Sequence, residues 1–371
     1  MNRILKPTFP RCCFLVGAIL VFVSSLTCPA QSHRALSASS YVERGKEWRL
    51  KGELDRAMAD FNIALTFDPG FADAYLNRGL VYQSKGNLNV AIADFDKAVQ
   101  IEPRLAEAYF NRGNVYYMKR NWESALADFN RAVEMKPRFA GAFSSRAATY
   151  FQTGNLRGAF ADYHRAIFLN PHQAEAYVGR GIIKHIQGNF AGALVDFNKA
   201  IKINPQSARA YGARGETLQD KGDLDRAIAD YGHAIALSPL MAPLYSARGS
   251  AWRELGKLTQ AIDDYNQAIR IDPLFAEAYN NRGYAWFVSG HWDSAILDFD
   301  KAIELHPRFT LAYCNRGLAR MLRNGPGEAE KDFGEVLKLE PSKKSWLDGR
   351  INEVRQQHRI PPNPGTSGHK D

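Results

Sequence analysis

The residues that could do chemistry are few, and most of them recur on a strict period. Nine histidines could hold a metal or move a proton, but no two stand at zinc-ligand spacing on one helical stretch. His164 and His172 fall beside a turn and read as surface residues. Of four cysteines, Cys12, Cys13 and Cys28 lie in the N-terminal segment and only Cys314 in the body. No internal disulfide framework is therefore expected there, and Cys314 reads as a small packing residue. There is no glycine-rich phosphate loop and no Gly-x-Ser-x-Gly elbow. The expectation is a chain that is not an enzyme and carries no cofactor and no metal.

What recurs instead is charge of both signs. Arginine stands at 44, 78, 112, 146, 180, 214, 248, 282 and 316, and aspartate at 60, 94, 128, 162, 196, 230, 264, 298 and 332. The chemistry they suggest is a guanidinium–carboxylate bond used as an internal staple, with two independent solvated faces as the alternative. A buried pair would cost about 3–5 kcal/mol if one partner were removed, an exposed one about 0–1.

The elements that must position these residues follow from the same period. Prolines 69, 103, 137, 171, 205, 239, 273, 307 and 341 are each 34 residues apart. With proline as place 32 of a unit, nine units fill 38–343: 38–71, 72–105, 106–139, 140–173, 174–207, 208–241, 242–275, 276–309 and 310–343. Place 4 is aromatic in every unit, place 20 is Ala, place 23 is Asp, place 24 is Phe or Tyr and place 7 is Arg. Place 8 is Gly in eight units and Ala147 in the fourth; place 27 is Ala in eight and Val336 in the ninth.

Within 72–84, apolar and small residues recur at three- and four-residue spacing, one face of a helix, and 88–101 repeats the pattern. Gly86-Asn87 ends the first helix and opens the second, and Pro103 ends the second because the residue before proline avoids helical geometry. Each unit is thus a helical hairpin. Glycine inside a helix costs about 1 kcal/mol relative to alanine, so Gly at place 8 implies a steric need: a close approach against the alanines of places 20 and 27, with the place-24 ring filling the gap.

The pattern resembles the tetratricopeptide repeat family, on the bulky place 4, Gly at 8, Tyr or Trp at 11 (Tyr82, Tyr116, Tyr150, Trp252, Trp286), Ala at 20, Phe or Tyr at 24, Ala at 27 and Pro at 32. The resemblance implies an all-α fold: a right-handed superhelical solenoid of nine 34-residue helix-turn-helix repeats, stabilised through nearest neighbours. Arg at place 7 departs from the family, which has an apolar residue there. The ninth unit carries Asn324-Gly325-Pro326-Gly327 at its turn. Trp346, Leu347, Ile351 and Val354 among charged residues predict an amphipathic capping helix over 344–358.

The resemblance also places function on a concave face lined by places 2, 5, 6, 9, 12 and 13 of the first helices. Place 6 is Asn77, Asn111, Asn281 and Asn315 in four units. Amides of this kind can grip an extended peptide backbone, similar to the asparagine ladder of the O-GlcNAc transferases. Ser145, Gly179, Ala213 and Ala247 interrupt the ladder in the middle. Two apolar patches are expected beside it. One joins Phe110, Asn114, Tyr117, Met118 and Phe151 to Val178, Ile182, His185 and Ile186; the other holds Tyr284, Phe287 and Val288. Packing between hairpins is the alternative for these side chains. The carboxylate clamp of the family's chaperone-binding members needs Lys at place 5 and Asn at place 9. No unit has that Lys, and Asn114 is the only such Asn.

The net charge of +9 sits largely at the ends. Residues 1–30 contribute +3 through Arg3, Lys6 and Arg11, and 342–371 another +3, which leaves the body near balance. A nucleic-acid partner is not expected, because no basic stripe marks the body. The basic start, the apolar 12–26 and Thr27-Cys28-Pro29-Ala30 predict a secretory signal peptide over 1–30, cut after Ala30. Cuts after Ala35 or Ala38, a retained anchor and lipidation at Cys28 are the alternatives. All place 31–371 outside the cytoplasm, in the periplasm or secreted. Residues 31–37 read as a linker and 359–371 as a disordered tail.

The function so read is an exported scaffold that binds a peptide segment or helix of a partner protein, as an envelope assembly or adaptor factor. A structural spacer and a non-catalytic helper subunit of an envelope enzyme are the alternatives. Membrane contact would come only through a retained anchor or the basic tail, and homo-oligomerisation is left open.

Overall fold

The computed structural model describes residues 37–358. The expected signal peptide with Cys12, Cys13 and Cys28, nearly all of the 31–37 linker and the 359–371 tail lie outside the described residues. Among the described residues the chain is all-helical, with no strand. The first helices of the hairpins are α1 (Ala38–Leu50), α3 (Ala72–Ser84), α5 (Ala106–Met118), α7 (Ala140–Gln152), α9 (Ala174–Ile186), α11 (Ala208–Asp220), α13 (Ala242–Glu254), α15 (Ala276–Val288) and α17 (Thr310–Asn324). The second helices are α2 (Leu54–Phe67), α4 (Leu88–Ile101), α6 (Trp122–Met135), α8 (Leu156–Leu169), α10 (Phe190–Ile203), α12 (Leu224–Leu237), α14 (Leu258–Ile271), α16 (Trp292–Leu305) and α18 (Pro326–Leu339). A 3₁₀ turn over Pro341–Lys343 leads into α19 (Lys344–His358).

Two compact units divide at Pro69 and Gly70. The first contains the hairpin of α1 and α2. In the second, the helices from α3 to α18 pack consecutively, each against the next. This is the consecutive helix-pair packing of a repeat solenoid.

The first eight hairpin turns share one solution, and the ninth differs, with α17 running on to Asn324 and Gly325 at φ 88°, ψ 177°. Gly52, Gly86, Gly154, Gly188, Gly222, Gly256 and Gly290 all adopt φ between 75° and 81°, the left-handed region that only glycine enters freely. The third hairpin has Arg120 there, at φ 57°. Its turn is kept by the same backbone bonds, Arg120 N–H to Tyr117 O and Asn121 N–H to Tyr116 O, both 2.9 Å. The second helices end where a residue before proline turns extended, as at Glu102 (φ −124°, ψ 88°).

The glycine at place 8 meets its ring directly. A Cβ on Gly79 would lie 2.6 Å from Phe95 Cε1, and on Gly181 2.6 Å from Phe197 Cε1. The close approach is thus between ring and backbone. In the fourth hairpin, where Ala147 already carries a Cβ, it is Gly179 of the next hairpin that faces the Tyr163 ring; a Cβ there would come within 2.6 Å of Tyr163 Oη. Alanine at one place is matched by glycine in the neighbouring hairpin.

Each place-7 arginine makes a forked bond to the place-23 aspartate of its own hairpin. Nε and Nη2 reach the two carboxylate oxygens at 2.8 and 2.7 Å for Arg78–Asp94 and 2.8 and 2.6 Å for Arg112–Asp128. The same atoms span 2.9 and 2.7 Å for Arg180–Asp196 and 2.8 and 2.6 Å for Arg282–Asp298. The guanidinium also lies over its place-4 ring, 5.3 Å from the Tyr75 centroid and 5.6 Å from that of Tyr279, which accounts for the aromatic at place 4.

In several hairpins the third nitrogen, Nη1, crosses to the preceding hairpin. It donates to Asp96 at 2.5 Å from Arg112, to Asn198 at 2.6 Å from Arg214, to Asn266 at 2.6 Å from Arg282 and to Asp300 at 2.6 Å from Arg316. Arg180 meets His164 Nδ1 at 3.1 Å in the same way. For Arg248 the corresponding place is Gly232, which offers no side chain.

The nine aspartates are buried. Burial pushes the carboxyls of Asp128 and Asp298 up from their ordinary range, outweighing the guanidinium bonds that pull them down. Those same bonds lift Arg112 and Arg282 above theirs. The opposed shifts mark a pair whose attraction is largely spent on desolvation. Its removal would still strand a charge.

Two measurements follow. Arg282→Met leaves Asp298 buried without its cation, and its cost in urea unfolding is expected to be about 3 kcal/mol, with faster amide exchange in α15 and α16. Arg180→Met is expected to cost roughly half as much, because Lys184 Nζ lies 2.8 Å from Asp196 Oδ2 and stays behind. Equal losses would show that the second cation plays no part. Separately, Arg120→Gly relieves a left-handed residue and is expected to stabilise by about 1 kcal/mol; a loss of stability would mean the Arg120 side chain outweighs its strain.

Candidate functional site

The places read from the sequence as a groove separate into three groups in the structure. The asparagine ladder is the clearest correction. Asn77 is only 4% exposed, and its amide donates to the Asp73 carbonyl at 2.8 Å and the Asp73 carboxylate at 2.9 Å. Asn111 donates to the Glu107 carbonyl at 2.8 Å in the same backward reach. Asn315 is 4% exposed and donates to Asn280 Oδ1 at 3.0 Å. Asn281 is half-buried, donating to Ser246 Oγ at 3.4 Å and accepting from Asn280 at 3.3 Å. Each of these place-6 amides donates within the chain itself.

The first apolar patch is partly core. Val178 is fully buried, in a cluster with Tyr177, Phe197 and Ala200, which removes it from the groove. Phe110 is half-buried against Phe139 and Phe129, with ring centroids 4.7 and 6.1 Å away. Tyr117 packs edge-on to Trp122 at 5.1 Å, and Phe151 packs against the cluster of Tyr163 and Ile183. Asn114 is half-buried. Met118 and Ile186 are exposed.

The second patch is partly covered by the chain itself: Tyr284 and Phe287 are half-buried, while Val288 stays exposed. Leu347 and Val354 of α19 are buried with Cys314, Leu318 and Met321 of α17, and Phe287 packs against the same cluster. Arg350 Nη2 donates to Tyr284 Oη at 3.4 Å, and His358 meets Trp292 edge-on at 6.3 Å. Tyr284, Phe287, Val288 and α19 enclose a cavity of about 250 Å³. The cap's Trp346 stays 39% exposed, with Lys343 Nζ 5.4 Å from its ring.

What remains open lies between these groups. A cavity of about 660 Å³ is lined by Ile182 of α9, seven residues of α11 and four of α13, with Tyr231 of α12 and Met241 completing it. Its walls are mainly apolar. Volumes of this order hold a side chain or a small ligand. Gly212, Ala213, Ala247 and Ser250 make the space, standing at places that hold Phe110, Asn111, Asn281 and Tyr284 in other hairpins. Reading the sequence for large side chains missed it. The interruption of the asparagine ladder at Ala213 and Ala247 was its signal.

At the rim, Tyr231 Oη donates to Gln219 Oε1 at 3.0 Å, and burial pushes the Tyr231 phenol up, with Glu216, Asp220 and Glu254 adding in the same direction. His185 Nδ1 lies 3.0 Å from Thr217 Oγ1, and Nε2 is 3.5 Å from Asp220 Oδ2. Among the described residues no cluster of His, Cys, Asp and Glu could hold a metal, and no helix is long and apolar enough to cross a membrane.

A family model described as a TPR repeat matches residues 45–86, 82–119, 181–222 and 249–290. Models described as tetratricopeptide repeat match 106–139, 276–309 and 208–239. This chain is built of tetratricopeptide repeats. Comparison with the curated proteins finds no match.

Among solved structures, the chain is similar to a tetratricopeptide repeat protein from Parabacteroides merdae, at 22% identity and a TM-score of 0.52, covering 67% of this chain and 98% of that one. It is similar to pilF of Pseudomonas aeruginosa, at 20% identity and a TM-score of 0.51, over 54% and 92% of the two chains. The Cut9–Hcn1 hetero-tetramer of the APC/C gives 15% identity and a TM-score of 0.58, over 85% and 76%. These likenesses concern the fold. As a tetratricopeptide repeat protein the chain is a protein–protein interaction scaffold, and the matched models are of repeats rather than of an enzyme family.

The covered thiol reports on α19. Burial pushes Cys314 up to about 11, against the opposing pull of Arg350 and Lys343, so little thiolate forms at pH 8. With Cys12, Cys13 and Cys28 replaced by Ser, the chain is expected to resist a maleimide at that pH, and truncation after Lys343 is expected to release fast labelling. Equal labelling of both chains would show that α19 does not stay seated on α17.

Proposed function

We propose that this tetratricopeptide repeat chain is an exported scaffold that holds a segment of a partner protein along its first-helix face, in an assembly or adaptor role in the cell envelope. The observation that carries the groove reading is the 660 Å³ cavity across α9, α11 and α13. At Phe151 that face is filled by its own side chains, and at Phe287 by α19. A mainly apolar concavity of this size is a binding site in need of an occupant. Export rests on the basic, apolar and small-residue order of residues 1–30.

Site-specific photocrosslinking in the native cell tests both parts. A crosslinking amino acid at Ala213, inside the cavity, is expected to give a discrete protein adduct. The same group at Val195, exposed on a second helix, is expected to give none. Adducts from Val195 alone would move the working surface to the second helices and make the chain a spacer docked by its outer side. The recovered protein is expected outside the cytoplasm with Gln31 as its first residue. Recovery from the cytosol with Met1 intact would refute export.

A further inference from the structure

The charges at the rim of the open cavity specify what enters it. Glu216 and Asp220 stand one helical turn apart on α11 and are exposed at the cavity mouth. Glu216 makes no ion pair among the described residues, and Asp220 faces only His185, at 3.5 Å. The nearby cations each have a partner, Arg209 of the cavity lining included. Arg209 pairs with Glu175 at 3.0 Å, Lys184 with the buried Asp196 at 2.8 Å, and Arg253 lies over the Tyr284 ring at 5.1 Å. Glu254, on the next first helix, accepts from Gln219 at 2.7 Å and lies 4.0 Å from Arg253.

The mouth is therefore net negative over an apolar floor of Ala213, Leu244 and Ala247. An acidic or purely polar segment would face repulsion or an unfilled floor. A Lys or Arg stem lays its methylenes on such a floor and carries its charge to the rim.

We propose that the cavity of α9, α11 and α13 receives a cationic side chain of the partner segment, a lysine or arginine next to small apolar residues, with Glu216 and Asp220 as its counter-charges. This deepens the groove reading and rests on it. The small residues admit the segment, and the carboxylates choose among segments that fit. Both carboxylates are solvated in the free protein, so their neutralisation leaves the fold intact.

The test is selection of a random 12-residue peptide library, displayed on phage, on three full-length proteins. These are the native chain, Glu216→Gln with Asp220→Asn, and Ala213→Phe, each first checked for an unchanged melting profile. The native chain is expected to enrich peptides with Lys or Arg beside Ala, Val or Leu. Synthetic versions of those peptides are expected to bind about tenfold more weakly to the double variant, two partly exposed pairs of about 0.7 kcal/mol each, and not detectably to Ala213→Phe.

Enrichment on the native chain of acidic or uncharged peptides, or equal affinity of the double variant for the cationic ones, overturns the charge proposal while leaving the groove. Binding that Ala213→Phe does not disturb overturns the groove itself. Selected peptides that compete with the chain's own Arg359–Asp371 segment, supplied as a free peptide, would identify that segment as the occupant and overturn the claim of a partner.

Discussion

The forked bond between the place-7 arginine and the place-23 aspartate is the constraint on which the rest of this structure hangs. In an ordinary tetratricopeptide repeat an apolar residue at place 7 would pack without direction. A guanidinium has direction. It must present Nε and Nη2 to one carboxylate, lie flat on the place-4 ring, and send Nη1 outward. In Arg112, Arg214, Arg282 and Arg316 that outward nitrogen finds an acceptor on the preceding hairpin. One side chain thereby fixes the register of three helices. The energetic gain over an apolar contact is small, because desolvation absorbs most of the attraction. The gain in definition is larger: a hairpin that slipped by one residue would bury an unpaired carboxylate.

The same division between energy and definition governs the glycine at place 8. Its helix cost is met by a ring lying on the backbone, and the two are interdependent. Where the fourth hairpin has Ala147, the Tyr163 ring meets Gly179 of the next hairpin. Gly179 occupies the place that is Asn in four other units. The break in the asparagine ladder there is therefore a packing consequence of Ala147. It has nothing to do with a ligand, whereas the break at Ala213 and Ala247 opens a cavity. Two interruptions that look alike in sequence have different physical origins.

This explains which features were legible beforehand. The proline period and the Arg–Asp staple repeat nine times, so chance could be discounted from the chain alone. The site does not repeat. Asn77, Asn111 and Asn315 suggest a ladder only if place 6 points into open space, and a local backbone carbonyl or a neighbouring Asn satisfies each amide first. Val178 sits at a groove place yet is fully buried. Tyr284 and Phe287 were read as an open apolar patch. The amphipathic character of 344–358 was read independently, and the sequence could not say that the one covers the other. Large side chains drew attention, although in a scaffold whose helices are held at fixed spacing it is the small ones that make room.

That last point bears on how such a chain acquires a partner. Places 4, 7, 8, 20, 23, 24, 27 and 32 are committed to holding hairpins together, and their side chains are spent on one another. The inner places of the first helices carry no such duty and vary from hairpin to hairpin: Phe110 and Asn114 in one, Gly212, Ala213 and Glu216 in another, Cys314 and Leu318 in the last. The last set accepts α19, which shows on the chain's own evidence that an amphipathic helix can settle on this face with Leu347 and Val354 inward. The middle set differs from it in being hollow and acid-rimmed. An occupant there must bring positive charge to an acid rim, whereas α19 seats Leu347 and Val354 in an apolar cluster, so the two surfaces are built for different segments.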